Sequence, residues 1–423
     1  MSRYRTTRAY VRAPGHTGRL AILTCLLLSA CAAPRVEIIK TVHVPEGTVD
    51  TTSREITLQQ HQDFYLPELG LWVSNRFAGA RMNSAAPGPD GSLVIDVRPE
   101  NSPINDSPWY GFRLWRDSGE RPVDIVLRYT GGNHRYPPKI SNDGKTWRNI
   151  DPAFITVNAA GEARFSLDVG TTPLWVAAQE VVTGETIDTW LHGLARQGCA
   201  RLSRGGFSAQ GAPIPKAVIG TPGRPAVVVL GRQHPPEVTG VLALFSFIET
   251  VCDDSDLAKR FRENFAVVVY PLMNPDGVRE GHWRHNINGV DTNRDWQHFR
   301  QPEPRAIRDD LLATDLVDVV FALDFHSTQK DIFYVLEESE GPEDYRLMIE
   351  WITAIADRVE GYHCLVQPVS SQVPGSSVWM GEALDTPSAT YEVGDDTPRE
   401  RIHTVATAAA QAMMELLLRD RSD

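Results

Sequence analysis

The sequence predicts an α/β fold, in which a mixed, largely parallel sheet flanked by helices follows a small all-β sandwich domain. Two observations lead to this prediction. In the first half of the chain, short β-rich runs are separated by clusters of turn residues, whereas in the second half apolar strand runs alternate with helical runs. The change of pattern near residue 180 divides the chain into a sandwich domain at 61–180 and a larger domain at 181–423.

Six short runs in the first part have the alternating or β-rich composition of strands. Turn clusters such as Pro87-Gly88-Pro89-Asp90-Gly91 and Asn142-Asp143-Gly144 separate them, and these residues supply the backbone conformations of tight turns. Several short strands at this spacing favour a β-sandwich. The predicted strands are Leu71–Phe77, Ser92–Arg98, Trp109–Arg116, Val123–Tyr129, Ala163–Val169 and Leu174–Gln179.

From about residue 183 onward, strands alternate with helices. The strand runs are apolar along their whole length, as expected where helices cover both faces of a sheet. The predicted strands are Ala226–Leu230, Phe265–Tyr270 and Val317–Phe325, and the predicted helices are Val238–Cys252, Glu343–Glu360 and Arg399–Arg419.

The first thirty residues have the layout of a secretory signal. Five arginines precede Leu20–Ala30, an apolar run without acidic residues. This run ends in Leu28-Ser29-Ala30-Cys31, which resembles the bacterial lipobox. We therefore expect a signal peptide at 1–30, a lipidated Cys31 that begins a tether at 31–60, and a periplasmic protein anchored by lipid in the outer membrane of a Gram-negative bacterium. An uncleaved anchor helix is the alternative, but about 11 apolar residues fall short of the roughly 20 needed to span a bilayer.

Charge and cysteine content limit the partners and the compartment. The chain has a formal net charge of −12, and removal of the five N-terminal arginines makes it more acidic still. An acidic surface argues against nucleic acid as a partner. Apart from Cys25 in the signal and Cys31, the chain has Cys199, Cys252 and Cys364. At most one disulfide can form among these three, in a compartment that permits disulfides.

Histidine and glutamate residues follow the predicted strands of the second part. His234 and Glu237 come shortly after one strand, His326 directly follows another, and Glu392 ends a third apolar run, Ser388–Tyr391. Ligands of open α/β sheets bind at the carboxyl ends of the strands. We therefore expect these four side chains to meet at one edge of the sheet.

Two imidazoles and one carboxylate form the ligand set of a catalytic zinc site, which keeps its fourth position open for water. His234, Glu237 and His326 are accordingly the predicted ligands of one Zn²⁺ per chain. A carboxylate outside the coordination shell can accept a proton from the metal-activated water. Glu392 is the predicted general base.

Five ordered motifs surround these residues in the second part of the chain: Asn274-Pro275-Asp276-Gly277, Trp283-Arg284, Gly289-Val290-Asp291-Thr292-Asn293-Arg294-Asp295-Trp296, Asp324-Phe325-His326-Ser327 and Tyr391-Glu392-Val393-Gly394. With these motifs, the chain from His234 onward resembles the zinc carboxypeptidases of the carboxypeptidase A (M14) family, and most of all the cytosolic-carboxypeptidase-like subgroup with its bacterial relatives. The β-rich first part resembles, more loosely, the sandwich that precedes the catalytic domain in that subgroup.

The resemblance implies a carboxypeptidase-like catalytic domain and roles for five further residues. Arg284 would stabilise the oxyanion that forms on the scissile carbonyl, and Asn293 with Arg294 would bind the terminal carboxylate of a peptide. A guanidinium stays charged and suits both tasks. Asp291 would orient His234 from outside the coordination shell, and Ser377 would lie near the floor of the pocket for the C-terminal side chain.

The sequence departs from the family in three places. Pro235-Pro236 separates the first two ligands, and no tyrosine occurs between Tyr362 and Tyr391, where the family has a mobile one. Proton delivery to the leaving amine therefore depends on Glu392. No charged residue occurs at 372–381, so neither an acidic nor a basic C-terminal preference is implied.

The sequence thus predicts a zinc-dependent metallocarboxypeptidase that hydrolyses the C-terminal residue of peptides with a free carboxylate, cell-wall stem peptides among them. The lipid anchor is the only contact with the membrane that we expect. The sequence does not predict the oligomeric state. Two alternatives are a metal-dependent deacylase or amidohydrolase of N-acyl amino acids, and a catalytically inactive lipoprotein that binds peptides or the cell wall. The complete set of ligands, base and arginine disfavours the inactive protein.

Overall fold

The computed structural model describes residues 35–43, 50–313 and 318–419, all of which belong to one compact unit. The predicted signal peptide and Cys31 lie outside the described residues. No helix within the described ranges combines the length and the apolar composition that a membrane span requires.

The first part of the chain forms two sheets. One has the strand order β10-β11-β7-β5-β4 and the other β2-β3-β6-β12-β8-β9. Inward and outward residues alternate, as in β11, and buried residues of both sheets belong to one hydrophobic cluster. The strands of these two sheets are β2 (Asp63–Leu66), β3 (Leu71–Ser74), β4 (Ser84–Pro87), β5 (Leu93–Val97), β6 (Gly111–Trp115), β7 (Arg121–Tyr129), β8 (Lys139–Ser141), β9 (Arg148–Asn149), β10 (Thr156–Val157), β11 (Ala163–Val169) and β12 (Leu174–Ala177). The first strand of the chain, β1 (Val36–Ile38), belongs to a third, larger sheet.

The second part forms a nine-stranded sheet with the order β1-β19-β18-β20-β17-β15-β16-β14-β13. Its strands are β13 (Ala200–Phe207), β14 (Pro213–Gly220), β15 (Ala226–Gly231), β16 (Ala266–Tyr270), β17 (Val319–Thr328), β18 (Ile332–Leu336), β19 (Cys364–Val369) and β20 (Ser388–Gly394). The helices are α1 (Gly184–Arg196), α2 (Val238–Val251), α3 (Asp256–Asn264), α4 (Pro275–Glu280), α5 (Pro302–Ala313), α6 (Pro342–Arg358), α7 (Ser376–Leu384) and α8 (Arg399–Arg419).

Helices cover both faces of the central strands, which explains the unbroken apolar runs. Val229 and Leu323 belong to the same hydrophobic cluster as residues of α2 and α8. The adjacent residues, Val228 and Ala322, point the other way and pack with residues of α5 and α7. The four central strands β16, β15, β17 and β20 are mutually parallel. The predicted fold class, a mixed and largely parallel sheet preceded by a β-rich region, is confirmed.

Several elements differ from the predicted ones. The predicted strand at Leu71–Phe77 ends at Ser74, and the hairpin β13–β14 was not predicted. Within the predicted tether, Val36–Ile38 pairs in parallel with β19 and forms one edge of the large sheet. A strand of three residues is too short to show a periodic pattern. The boundary between the two proposed domains stays a prediction.

The one disulfide among the described residues joins Cys199, between α1 and β13, to Cys252, at the end of α2. Cys364 is buried and unpaired. The disulfide therefore ties the first helix of the second part to the helix that follows His234 and Glu237.

Candidate metal centre and its surroundings

Strand register brings the predicted site residues together. His326 in β17 and Glu392 in β20 are direct partners in adjacent parallel strands, while β15 ends at Gly231, three residues before His234. Side chains two residues apart share one face of a strand, so Asp324 lies on the same face as His326. Arg232 has a φ of 57°, and this left-handed conformation turns the chain sharply at the end of β15.

His234, Glu237 and His326 form a compact three-ligand cluster. Nδ1 of His234 lies 2.8 Å from Oε1 of Glu237, and Nδ1 of His326 lies 2.7 Å from Oε2 of the same carboxylate. One candidate ligand atom from each residue lies within 4.8 Å of the others. Both histidines are buried.

Each of the two imidazoles contacts a second carboxylate through its other ring nitrogen, Nε2. Nε2 of His234 lies 2.9 Å from Oδ1 of Asp291, and Nε2 of His326 lies 2.6 Å from Oδ2 of Asp324. A proton held on Nε2 by these carboxylates leaves the lone pair of Nδ1 directed at the centre of the cluster. Zinc-binding histidines commonly have such a carboxylate behind them, so the donor set and its support fit a zinc ion.

Electrostatics in the cluster favour a cation. Burial raises the pKa of Glu237, but the two histidines lower it by a larger amount, so that the pKa lies well below its ordinary value. Burial lowers the pKa of His326, yet the carboxylates of Asp324 and Glu237 raise it well above the ordinary value. Both shifts indicate that the cluster stabilises positive charge between the carboxylates of Glu237 and Asp324.

Glu392 lies beside the cluster but does not join it. It is absent from the set of three candidate ligands, and within the described part of the chain its buried Oε2 has no hydrogen-bond partner. Burial, together with the nearby carboxylate of Glu237, raises the pKa of Glu392 to about 7. A carboxylate of this kind can both accept and return a proton near neutral pH.

Arg284 is tied to the histidine network through Asp291. Its Nε donates to Oδ2 of Asp291 at 2.7 Å, while the other oxygen of this carboxylate faces His234. Among the described contacts, no hydrogen bond engages the two terminal amino groups of Arg284. These groups are therefore available to a substrate oxygen.

Arg294 and Asn293, both in a short 3₁₀ turn at Thr292–Arg294, occupy different environments. No described carboxylate lies within ion-pairing distance of the Arg294 guanidinium, and burial lowers its pKa. Asn293 faces His326 and Ser376 instead. Its Nδ2 is 3.2 Å from Nε2 of His326, and its Oδ1 accepts from the backbone N–H of Ser376 at 2.9 Å. Of the two predicted carboxylate-binding residues, Arg294 is the charged one, and its guanidinium has no ion-pair partner among the described residues.

Ser377, in α7, contacts Thr390, which lies two residues before Glu392 in β20. Its Oγ is 2.8 Å from Oγ1 of Thr390, and Tyr334 in β18 is the direct cross-strand partner of Thr390. Burial and the carboxylate of Glu392 raise the pKa of Tyr334 to about 12, while Arg294 acts in the opposite sense. Tyr334 thus brings a phenol to the site although residues 363–390 contain no tyrosine.

Three residues that help to build the site escaped prediction. Asp324 accepts from Gln233 Nε2 at 2.6 Å and from Ser376 Oγ in addition to its contact with His326. The i, i+2 spacing of Asp324 and His326 in a strand was a usable signal for this pair. Gln233 and Tyr334 carried no such signal, because only the packing of β15, α7 and β18 brings them near the ligands.

Part of the chain matches a known protein family in sequence. Residues 187–363 match the zinc carboxypeptidase family. Cytosolic carboxypeptidase 4 of Mus musculus is 35% identical over 118 residues, which are 26% of this chain but only 10% of the mouse protein. The chain thus spans a small part of the length of this curated relative.

Two solved structures resemble the chain over most of its length. A metallo-carboxypeptidase from Burkholderia cenocepacia has a TM-score of 0.69 and 18% sequence identity, over 83% of this chain and 99% of that one. A metallo-carboxypeptidase from Pseudomonas aeruginosa, in complex with (2-guanidinoethylmercapto)succinic acid, has a TM-score of 0.68 and 18% identity, over 82% and 98% of the two chains. At this identity the likeness concerns the fold. The chain is therefore related in sequence to the zinc carboxypeptidase family over residues 187–363, and its fold is carboxypeptidase-like.

Proposed function

We propose that the protein is a zinc-dependent carboxypeptidase that removes the C-terminal residue from peptides with a free carboxylate. The strongest support for a substrate with a free carboxylate comes from Arg294. The guanidinium of Arg294 lies near the ligand cluster without an ion-pair partner among the described residues, and a peptide carboxylate would supply that partner.

His234, Glu237 and His326 would hold the zinc ion. When bound there, zinc would polarise the scissile carbonyl and acidify a water molecule. Glu392 would take the proton from that water and return it to the leaving amine, because its raised pKa suits both transfers. Arg284, held at its Nε by Asp291, would direct its terminal amino groups at the developing oxyanion.

The surroundings of Ser377 favour a small neutral or hydroxyl-bearing C-terminal side chain. Ser377 and Thr390 bond to each other through their hydroxyls, and residues 372–381 include no charged side chain. Oligopeptides and cell-wall stem peptides that end in such residues are the proposed substrates.

The Arg294→Gln variant is expected to raise KM by about 10- to 100-fold with little change in kcat, because a hydrogen bond to a charged group contributes about 1.5–3 kcal/mol. Steady-state hydrolysis of an N-acylated dipeptide measures this. The same dipeptide with a C-terminal amide is expected to be a poor substrate of the unsubstituted enzyme. The control is Arg300→Gln, in the same segment but largely exposed, which should leave both constants unchanged.

Equal turnover of the free acid and the amide would refute the carboxypeptidase assignment. Preferential hydrolysis of N-acyl amino acids in a parallel assay would favour the deacylase.

We also propose that the mature protein begins at a lipidated Cys31 and resides in the periplasm. The signal-like segment at 1–30 supports this, and the Cys199–Cys252 disulfide is of a kind that persists in oxidising compartments. Cells fed an alkyne-tagged fatty acid should label the protein, and Cys31→Ser should abolish the label. A labelled Cys31→Ser protein, or an unprocessed N-terminus, would contradict the proposal.

A further inference from the structure

The loop after β5 in the β-rich part contains a carboxylate that binds three consecutive backbone amides of the large domain. Oε2 of Glu100 accepts from the N–H of Trp283 at 2.8 Å. Its Oε1 accepts from the N–H of Arg284 at 3.0 Å and from that of His285 at 2.7 Å. Glu100 itself is completely buried. Three amide donors on one carboxylate fix the backbone at Arg284 far more firmly than a surface contact would.

Contacts around Glu100 hold the same two segments together. Asn101 Oδ1 lies 2.7 Å from Nδ1 of His285, and Asn101 Nδ2 donates to the carbonyl of Gly289 at 3.1 Å. The indole N–H of Trp283 donates to the carbonyl of Trp109 at 3.0 Å. The β-rich part thus contacts residues 283–289 through several side chains and one backbone carbonyl.

The surroundings of Glu100 favour the charged form of its carboxylate. Burial alone would raise its pKa, but His282, His285 and Arg81 lower it, and so does the amide of Trp283, with the result that the pKa falls below its ordinary value. An ionised carboxylate accepts hydrogen bonds from amides more strongly than a neutral group does.

Arg284 is consequently fixed at two points. Glu100 holds its backbone N–H, and Asp291 holds the Nε of its side chain. The two terminal amino groups lie beyond both attachments. Their direction is therefore set jointly by a residue of the β-rich part and a residue beside His234.

We propose that Glu100 is a positioning residue for Arg284, so that the β-rich part of the chain completes the active site. The inference rests on the proposed function, in which Arg284 stabilises the oxyanion. Both carboxylate oxygens of Glu100 accept hydrogen bonds from the amides of the loop at 283–285, so Glu100 acts on Arg284 through that loop.

The Glu100→Gln variant tests this inference. Glutamine keeps the size of the side chain but loses the charge and replaces one acceptor oxygen with a donor. We expect kcat to fall by about 10- to 100-fold with KM within about threefold, since a misplacement of about 1 Å at a catalytic group can cost about 10²-fold. Hydrogen exchange at the amides of 283–285 should accelerate, and bound zinc should stay stoichiometric.

A double-mutant cycle separates positioning from a general loss of stability. In the background of Arg284→Ala, which itself removes most of the activity, Glu100→Gln should cause less than about a twofold further loss, because residues that act as a unit are non-additive. The control is Gln59→Ala. Gln59 is buried and donates to the carbonyls of Ala80 and Glu280, and none of its described hydrogen bonds involves residues 283–285. This variant should lower the melting temperature without lowering kcat.

The outcomes are distinct. Additive losses in the cycle, a kcat for Glu100→Gln within twofold of the unsubstituted enzyme, or unchanged exchange at 283–285 would overturn the inference while the proposed function stands. An unsubstituted, zinc-loaded enzyme without carboxypeptidase activity would overturn the proposed function and, with it, the catalytic purpose of Glu100.

Discussion

Replacement of Glu392 with glutamine is expected to lower kcat by about 10²- to 10⁴-fold, the usual contribution of a general base. Glutamine is nearly isosteric but cannot accept a proton at neutral pH. Because Glu392 is not among the three candidate ligands, zinc should remain stoichiometric and KM should change little. Steady-state kinetics on the N-acylated dipeptide and metal analysis of the same preparation provide both measurements.

A glutamate outside the site gives the matched comparison. Glu382 is exposed on α7, the helix that also contains Ser377. The Glu382→Gln variant therefore removes one negative charge, as Glu392→Gln does, but outside the site. It should retain full activity. If Glu392→Gln kept more than about a tenth of the turnover, another group would have to be the base, and Tyr334, near Glu392, would be the first to test.

The central strands could be predicted because burial on both faces leaves a continuous apolar run. Ala226–Leu230 was predicted and β15 is Ala226–Gly231, while Phe265–Tyr270 corresponds to β16 at Ala266–Tyr270. The candidate ligands were predicted from these strands, since parallel strands direct their carboxyl ends to one edge. The structure brings His234, Glu237, His326 and Glu392 together at that edge.

The remainder of the site depends on contacts that have no local pattern. Glu100 and Arg284 are 184 residues apart, and Tyr334 reaches the site because β18 pairs antiparallel to β20 in an otherwise parallel region. Sequence order cannot show such pairings. Asn293 illustrates the opposite case, because a motif singled it out from the sequence but only the packing shows that its amide faces His326 and Ser376.

Loss of a metal ligand should have the largest effect of all. His326→Ala is expected to abolish stoichiometric zinc binding and to reduce kcat/KM by about three orders of magnitude or more, since the metal contributes several kcal/mol to transition-state stabilisation. Metal analysis after dialysis and kinetics with added zinc measure the two effects. Treatment of the unsubstituted enzyme with a chelator should have the same result, and zinc should restore the activity of that enzyme but not of the variant.

Asp324 allows the role of the supporting carboxylate to be separated from that of the ligand. Asp324→Asn keeps a hydrogen-bond acceptor toward Nε2 of His326 but removes the charge, so zinc affinity should fall by about 10- to 100-fold and activity should return at saturating zinc. His298→Ala, at an exposed histidine, should affect neither property. Tight zinc in His326→Ala would mean that the ion binds elsewhere. Unchanged zinc affinity in Asp324→Asn would mean that Asp324 serves only the packing of α7 against β17, where it also accepts from Ser376.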